Sequence, residues 1–237
     1  MVFARNAAMG FNRFLDREFD KLNPRTAIRE IPAGILMPKS VLFFVLVNSV
    51  LFITTTWFIN KLCFFLSPVA LFVILFYSYT KRFTALCHFV LSLGLAIAPM
   101  GAYLAVAGKF SWLPFMLSLV VFFWVSGFDI IYALQDEDFD KEQQLKSVPA
   151  YLGRKKAMSL AKIIHLLSAV AVIGVGVLAP ANWLHWAGAV IFIGLVFYQH
   201  TLIKPFDLSK VNVAFFTTNG IASIFSVSYT HLRAHET

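Results

Sequence analysis

Charge is scarce in this sequence. Asp, Glu, Lys and Arg together make up 14% of its 237 residues, against about 25% in an ordinary soluble domain. Hydrophobic residues make up 59%, Phe alone fills 26 positions, and the mean hydropathy is +0.75. So little polar surface cannot coat a water-soluble globule. Cysteine is scarce too. Cys63 and Cys87 lie in or beside apolar runs, with no CxxC partner and no metal-ligand spacing, which excludes a disulfide framework and a zinc ribbon. No basic stretch and cleavage site precede the first apolar run, so no cleavable signal peptide is expected. Low-complexity linkers, internal repeats, an HExxH pair, a nucleophile triad and a nucleotide-binding loop are all missing.

The chain is instead rich in long apolar runs. A spanning helix needs about 20 such residues. Seven stretches meet or approach that length, near 40–59, 62–79, 85–107, 112–134, 159–179, 183–203 and 212–227. The expected class is an all-α, multi-span membrane protein with about seven full spans plus a partial first one. Met1–Ala8 is apolar and gives way at once to Asn12, Arg13, Asp16 and Arg17. It reads as the last turns of a helix whose beginning is missing. The run that starts at 212 stops abruptly, and residues 227–237 read as a non-native tail. One domain over 1–226, incomplete at both ends, is the expected organisation.

The net charge is +8, and its distribution argues for a lipid bilayer and against nucleic acid. Segments 13–39, 80–85, 135–162 and 200–212 hold 16 Lys and Arg. The alternate connections near 60–61, 108–111 and 180–182 hold two, Lys61 and Lys109. The positive-inside rule places the charged segments in the cytoplasm. Nearly all acidic residues lie in or beside the same segments, so chemistry is expected on that face. A bacterial inner membrane is the expected location.

Two acidic constellations stand out. Asn12, Asp16 and Asp20 are spaced i, i+4, i+8, which lines them along one stripe of a helix. Their oxygens suit a hard divalent cation, although a solvated helix end flanked by Arg13 and Arg17 would look the same. The second is Asp129-Ile-Ile-Tyr-Ala-Leu-Gln-Asp136-Glu-Asp-Phe-Asp140. On an unbroken helix, offsets of 7 and 11 return Asp136 and Asp140 to the face of Asp129, while Asp138 falls opposite. Asp129 lies inside an apolar run, where an acidic group points to function by default. Two such clusters at one membrane face repel each other unless something positive lies between them. Mg²⁺ bridging to a diphosphate would fill that role. Basic residues are at hand. Tyr77 and Lys81, again i and i+4, close an apolar run with Arg82. Lys146 follows the second motif, and Arg25 and Arg29 follow the first. Each cation taken alone is an ordinary positive-inside anchor. His88 and His165 read as packing residues at helix starts, and the five Trp as membrane-belt or packing residues.

At these residues the sequence resembles the UbiA-type intramembrane prenyltransferase superfamily. NRFLDREFDKLNPRTAIREIPAG (Asn12 to Gly34) resembles its first Asp-rich motif, and DIIYALQDEDFDKEQQLKSVPAYLG (Asp129 to Gly153) the second. YSYTKR (Tyr77 to Arg82) resembles its YxxxK element. The NPRT and REIPAG pieces are most similar to the 4-hydroxybenzoate polyprenyltransferase branch, with its relatives in menaquinone synthesis. The resemblance implies a helical bundle around a central cavity and Mg²⁺-dependent transfer of a polyprenyl group from its diphosphate to a small aromatic acceptor, in ubiquinone or menaquinone biosynthesis. It implies that Asn12, Asp16, Asp20, Asp136 and Asp140 bind the metal, and that Lys81, Arg82, Lys146 and Arg25 contact the diphosphate. Asp129 and Tyr77 would act beside them, with Arg5 toward the acceptor. A CDP-alcohol phosphatidyltransferase would need one compact DG…AR motif, which is absent. A soluble prenyl synthase is excluded by the apolar runs. A transporter would place its charges near the bilayer midplane, whereas these lie at its edge.

Overall fold

The computed structural model describes residues 1–179, 183–211 and 220. No named strand is present among them; a single bridge joins Lys204 and Asp207. The chain divides into two compact units. Unit 1 is Met1–Phe110 with Asp138–Ser147, and unit 2 is Ser111–Glu137 with the chain from Val148 on.

Unit 1 contains α1 (Val2–Leu22), α2 (Pro38–Trp57), α3 (Lys61–Thr80) and α4 (Cys87–Ala107). The apolar start and the polar motif belong to one continuous helix, α1. Gly10 lets α1 approach α2 closely, since a Cβ there would stand 2.9 Å from a Val45 methyl. Beside it the Asn6 amide donates to Asn48 Oδ1 at 3.2 Å, and Asn48 returns its own amide to the Phe44 carbonyl. α2 opens on Pro38, whose fixed φ suits a first turn. Asn60 caps α3 by accepting from the Cys63 N–H, and its amide donates to the Leu104 and Ala105 carbonyls at the end of α4. Pro68 interrupts α3. Its missing N–H would have bonded the Phe64 carbonyl, and the Ser67 hydroxyl takes that acceptor at 2.8 Å.

Unit 2 contains α5 (Trp112–Ala133), a 3₁₀ turn at Leu134–Asp136, α7 (Val148–Leu152), α8 (Arg154–Leu178) and α9 (Trp183–Leu202). The short helix α6 (Glu137–Glu142) leads from that turn into the Asp138–Ser147 segment of unit 1. α5 and α8 form the principal packing of unit 2. Gly127 makes this possible: a Cβ there would lie 2.2 Å from the His165 ring.

Pro38–Trp57, Lys61–Thr80, Cys87–Ala107, Arg154–Leu178 and the run Trp112–Glu142 are long and apolar enough to cross a membrane. They coincide with five of the seven expected stretches. The sixth, 183–203, is helical as α9 but falls outside this group, because His185, Gln199 and His200 dilute its apolar run. The seventh, 212–227, the connection at 180–182 and the tail 227–237 lie outside the described residues, except for Gly220. The protein is an integral membrane protein built from helices.

Candidate active site

The first acidic stripe forms as its spacing requires, because α1 is regular throughout. The Asn12 amide donates to Asp16 Oδ2 at 2.9 Å. Asp20, one turn on, is buried at 6% exposure, whereas Glu18 on the opposite side is exposed. Asp16 sits between opposing influences. Burial pushes its carboxyl above the ordinary value of 3.8, and the Asp20 charge pushes the same way. Arg82 and Lys81 pull it down without cancelling the rise.

Asp16, Asp20 and Asp140 each face a cation. Arg29 Nη1 lies 2.7 and 2.8 Å from the two oxygens of Asp20. Arg82 Nη2 is 3.5 Å from Asp16 Oδ1 and donates to the Leu15 carbonyl at 2.8 Å. Its guanidinium also lies over the Phe19 and Tyr79 rings. Lys81 Nζ is 2.7 Å from Asp140 Oδ1. Asp140 has no solvent exposure, and neither of its oxygens accepts a well-aligned hydrogen bond.

The backbone fixes this arrangement. Lys81 and Arg82 directly follow α3, in a turn held by Arg82 N–H to Tyr79 and Phe83 N–H to Thr80. The Lys146 N–H donates to the Lys81 carbonyl at 2.7 Å, and the Cys87 thiol lies 3.5 Å from the Lys146 carbonyl. The segment after Asp140 is therefore stitched to the junction of α3 and α4. The Lys146 side chain is exposed. Tyr77, one turn before Lys81, is partly buried, and its carbonyl accepts from the Thr80 hydroxyl. Arg25 is exposed, with its N–H on Asn23 Oδ1 in an Asx turn. Arg5 is exposed on α1, two turns before Asn12.

The second stripe does not form as expected. The offsets of 7 and 11 assume one α-helix from Asp129 to Asp140, but Leu134–Asp136 is a 3₁₀ turn. Three residues at 3.0 per turn advance the helix by about 60° more than the α-helix would. The single regular helix that the spacing assumes is interrupted there. Asp129 is partly buried near the end of α5, and Asp136 partly buried in the 3₁₀ turn, both in unit 2. Asp140 belongs to unit 1. Asp138 is exposed.

The pairings of Arg29 with Asp20 and of Arg154 with Glu137 were not read from the sequence. Arg29 was visible there only as one loop cation among several, and its Asp20 contact depends on the fold of residues 23–36. Glu137, 4% exposed, is bound by Arg154 at 2.6 Å, which anchors the start of α8 to the turn after α5. His165 is also not what its surroundings in the sequence suggest. α8 begins at Arg154, so His165 is mid-helix and has no exposure.

The donor set fits a divalent cation of the Mg²⁺ type. It offers carboxylate and amide oxygens only. One carboxyl is pushed up by burial and another is wholly buried without a proper hydrogen bond. A cation would relieve both. Among the described residues no three His, Cys, Asp or Glu side chains form a complete cage. Mg²⁺ commonly takes few protein ligands and completes its shell with water and phosphate oxygens.

Comparison with known proteins is consistent over nearly the whole chain. Residues 1–221 match the UbiA prenyltransferase family. The 4-hydroxybenzoate octaprenyltransferase of Tolumonas auensis is 30% identical over 225 residues, covering 93% of this chain and 77% of that protein. The enzyme of the same name from Aliivibrio salmonicida is 30% identical over 236 residues, covering 96% and 80%. Among solved structures, the apo UbiA homologue from Aeropyrum pernix K1 superposes with a TM-score of 0.90 at 26% identity, covering 98% of this chain and 86% of that one. A UbiA homologue from Archaeoglobus fulgidus bound to GPP and Mg²⁺ shares the fold, with a TM-score of 0.70 at 16% identity over 96% and 85%.

Proposed function

The chain belongs to the UbiA prenyltransferase family, and on that premise we propose that it moves a polyprenyl group from a polyprenyl diphosphate to a small aromatic acceptor of the 4-hydroxybenzoate type. The observation that carries the reading is the cluster in unit 1, where Asp16, Asp20 and Asp140 each face a cation beside apolar helices. Carboxylates and cations are interleaved there, as a metal-bound diphosphate requires.

In this reading Asn12, Asp16, Asp20, Asp136 and Asp140 hold Mg²⁺. When bound, Mg²⁺ neutralises diphosphate charge and favours departure of the leaving group. Lys81, Arg82, Lys146 and Arg25 take the diphosphate oxygens and meet the charge that grows as the allylic C–O bond breaks. The diphosphate leaves with the bonding pair. The allylic carbon forms its new bond to a ring carbon ortho to the acceptor hydroxyl, and that ring carbon loses its proton. Asp129 and Tyr77 line the reacting region, and Arg5 pairs with the acceptor carboxylate. The surrounding Phe-rich helices exclude water, which would otherwise capture the cation, and aromatic faces stabilise it.

The reading extends to the whole molecule. The active face is cytoplasmic, at a bacterial inner membrane, where the isoprenoid tail stays in lipid.

Membranes containing the chain, given labelled 4-hydroxybenzoate and a polyprenyl diphosphate, should form a lipid-soluble product only with Mg²⁺. Asp16→Ala and Asp136→Ala should each abolish it. Product with a naphthoate acceptor only would keep the prenyl transfer and discard the benzoate. No product with any aromatic acceptor, from protein shown to be folded, would favour a transporter.

A further inference from the structure

Taking the diphosphate reading above as given, we propose that Lys81 is a resident counter-ion. It keeps Asp140 closed to a divalent cation until a diphosphate draws its ammonium away, so the two ligands bind as a coupled pair.

Asp140 is wholly buried, and its charged partner is the Lys81 ammonium at 2.7 Å. A buried carboxylate needs a counter-ion, and losing one without replacement is strongly unfavourable. A divalent cation arriving alone must displace that ammonium. Asp16, whose carboxyl also feels the Lys81 charge, already faces Arg82, so it offers the displaced ammonium a contested partner. A diphosphate arriving alone can recruit Lys81 only by leaving Asp140 bare. Together, each ligand supplies the partner that the other removes. The metal takes Asp140, and the diphosphate takes Lys81.

Lys81 suits this exchange better than the other two cations. Arg29 reaches both oxygens of Asp20. Arg82 is tied to the Leu15 carbonyl and covered by the Phe19 and Tyr79 rings. Lys81 carries a compact charge on a flexible stem, and its side chain is 35% exposed where its partner is not exposed at all. Its carbonyl is held by the Lys146 N–H. The exchange is therefore a side-chain swing on a fixed backbone.

The test uses the full chain in detergent micelles, with Mn²⁺ as a spectroscopically visible divalent cation and inorganic pyrophosphate as the anion. Affinities are corrected for the complex the two form in solution. Saturating pyrophosphate should tighten Mn²⁺ binding by about tenfold or more, and saturating Mn²⁺ should tighten pyrophosphate binding by the same factor. Lys81→Met should bind Mn²⁺ alone several-fold more tightly than the wild type, while its coupling falls to within about twofold. A site in which Lys81 merely contacts diphosphate would leave Mn²⁺ binding unchanged in that variant, and this result would overturn the proposal. If Lys81→Met does not fold, K81M/D140N removes both charges at once and leaves none bare. Loss of coupling there supports the exchange, and coupling retained at the wild-type level refutes it. Wild-type protein that binds neither probe in any combination would overturn the diphosphate reading itself, and the exchange with it.

Discussion

Asp140 in unit 1 and His165 in unit 2 are both wholly removed from solvent, yet they are held by different means. Asp140 has one close cation and no well-aligned hydrogen bond. His165 lies in a neutral network. Its Nε2 is 3.2 Å from the Trp124 carbonyl, and its Nδ1 is 2.7 Å from His200 Nε2 and 3.3 Å from the Gln199 amide. A carbonyl only accepts, so Nε2 carries the proton and Nδ1 is the acceptor. One helical turn away the Ser168 hydroxyl donates to the Val120 carbonyl, closing the same α5–α8 seam. The glycine at 127 leaves room for the ring and nothing larger. Unit 1 thus holds its two buried aspartates, Asp20 and Asp140, in ion pairs. Along the α5–α8 seam unit 2 spends its buried polar groups on fixing two helices, while its buried carboxylate, Glu137, is paired with Arg154.

The strongest way to break this contrast is to crowd the seam of unit 2. In Gly127→Ala the new Cβ would stand 2.2 Å from His165 Nε2 and 2.3 Å from its Cδ2. The ring has no exposed side into which it could retreat. Overpacking of this kind costs about 3 kcal/mol, or roughly 10 °C in unfolding temperature for a chain of this size. Thermal unfolding in detergent measures it. G127A/H165A should recover part of the loss by removing the clash, though not the lost hydrogen bonds. An unfolding temperature unchanged in Gly127→Ala would show that the seam is pliable, and the contrast with unit 1 would fail.

A smaller effect of opposite sign is expected in unit 1. The Asp16 carboxyl is raised above its ordinary value, chiefly by burial and then by Asp20. A carboxyl raised in the folded state favours folding while protonated, and that contribution is lost as pH climbs through the raised value. Ligand-free protein therefore carries a penalty at neutral pH. Asp16→Asn should remove the penalty and unfold a few degrees above the wild type at pH 7. The gap should close as pH falls below the ordinary 3.8, where both side chains are neutral. Mg²⁺ with pyrophosphate should reverse the order, by stabilising the wild type and leaving the variant unmoved. An Asp16→Asn protein less stable than the wild type at neutral pH would mean that Arg82 outweighs burial.

The same contrast explains what could be read from sequence alone. Asn12, Asp16 and Asp20 fall on one stripe because α1 is a single regular helix, and spacing is enough to find such a face. Asp129, Asp136 and Asp140 defeated the same reasoning. Nothing in the intervening residues announces the 3₁₀ turn at Leu134–Asp136, and nothing in the sequence marks the distant Lys81 as the partner of Asp140. Five of the spans were legible from length and hydropathy. His165 was not, because its partners lie 34 to 41 residues away and a lone histidine in an apolar run carries no mark of them. Arg29 was visible as a charge, but its match to Asp20 depends on turns that bring residues nine apart together.

The smallest expected effect concerns the turn that carries the chain from Asp140 to Lys146. α6 ends with the Leu145 N–H on the Asp140 carbonyl at 2.8 Å and the Gln144 N–H on the Lys141 carbonyl at 3.2 Å. This is the hydrogen-bond pair of a Schellman ending, in which the residue before the last donor adopts the left-handed conformation that glycine favours. Here that residue is Gln144, with φ at +54°. A side chain in that region costs about 1 kcal/mol or a little more, while glycine loses about 0.5–1 kcal/mol more backbone freedom on folding. Gln144→Gly should therefore stabilise the protein by a few tenths of a kcal/mol, roughly 1 °C. Gln144→Val should destabilise it, because branching at Cβ makes a left-handed residue worse. The turn fixes the path by which the Lys146 N–H reaches the Lys81 carbonyl, so relieving its strain should leave pyrophosphate binding intact. If Gln144→Gly keeps its stability but loses pyrophosphate affinity, the glutamine amide works in the site, and the strain at 144 is held there for function.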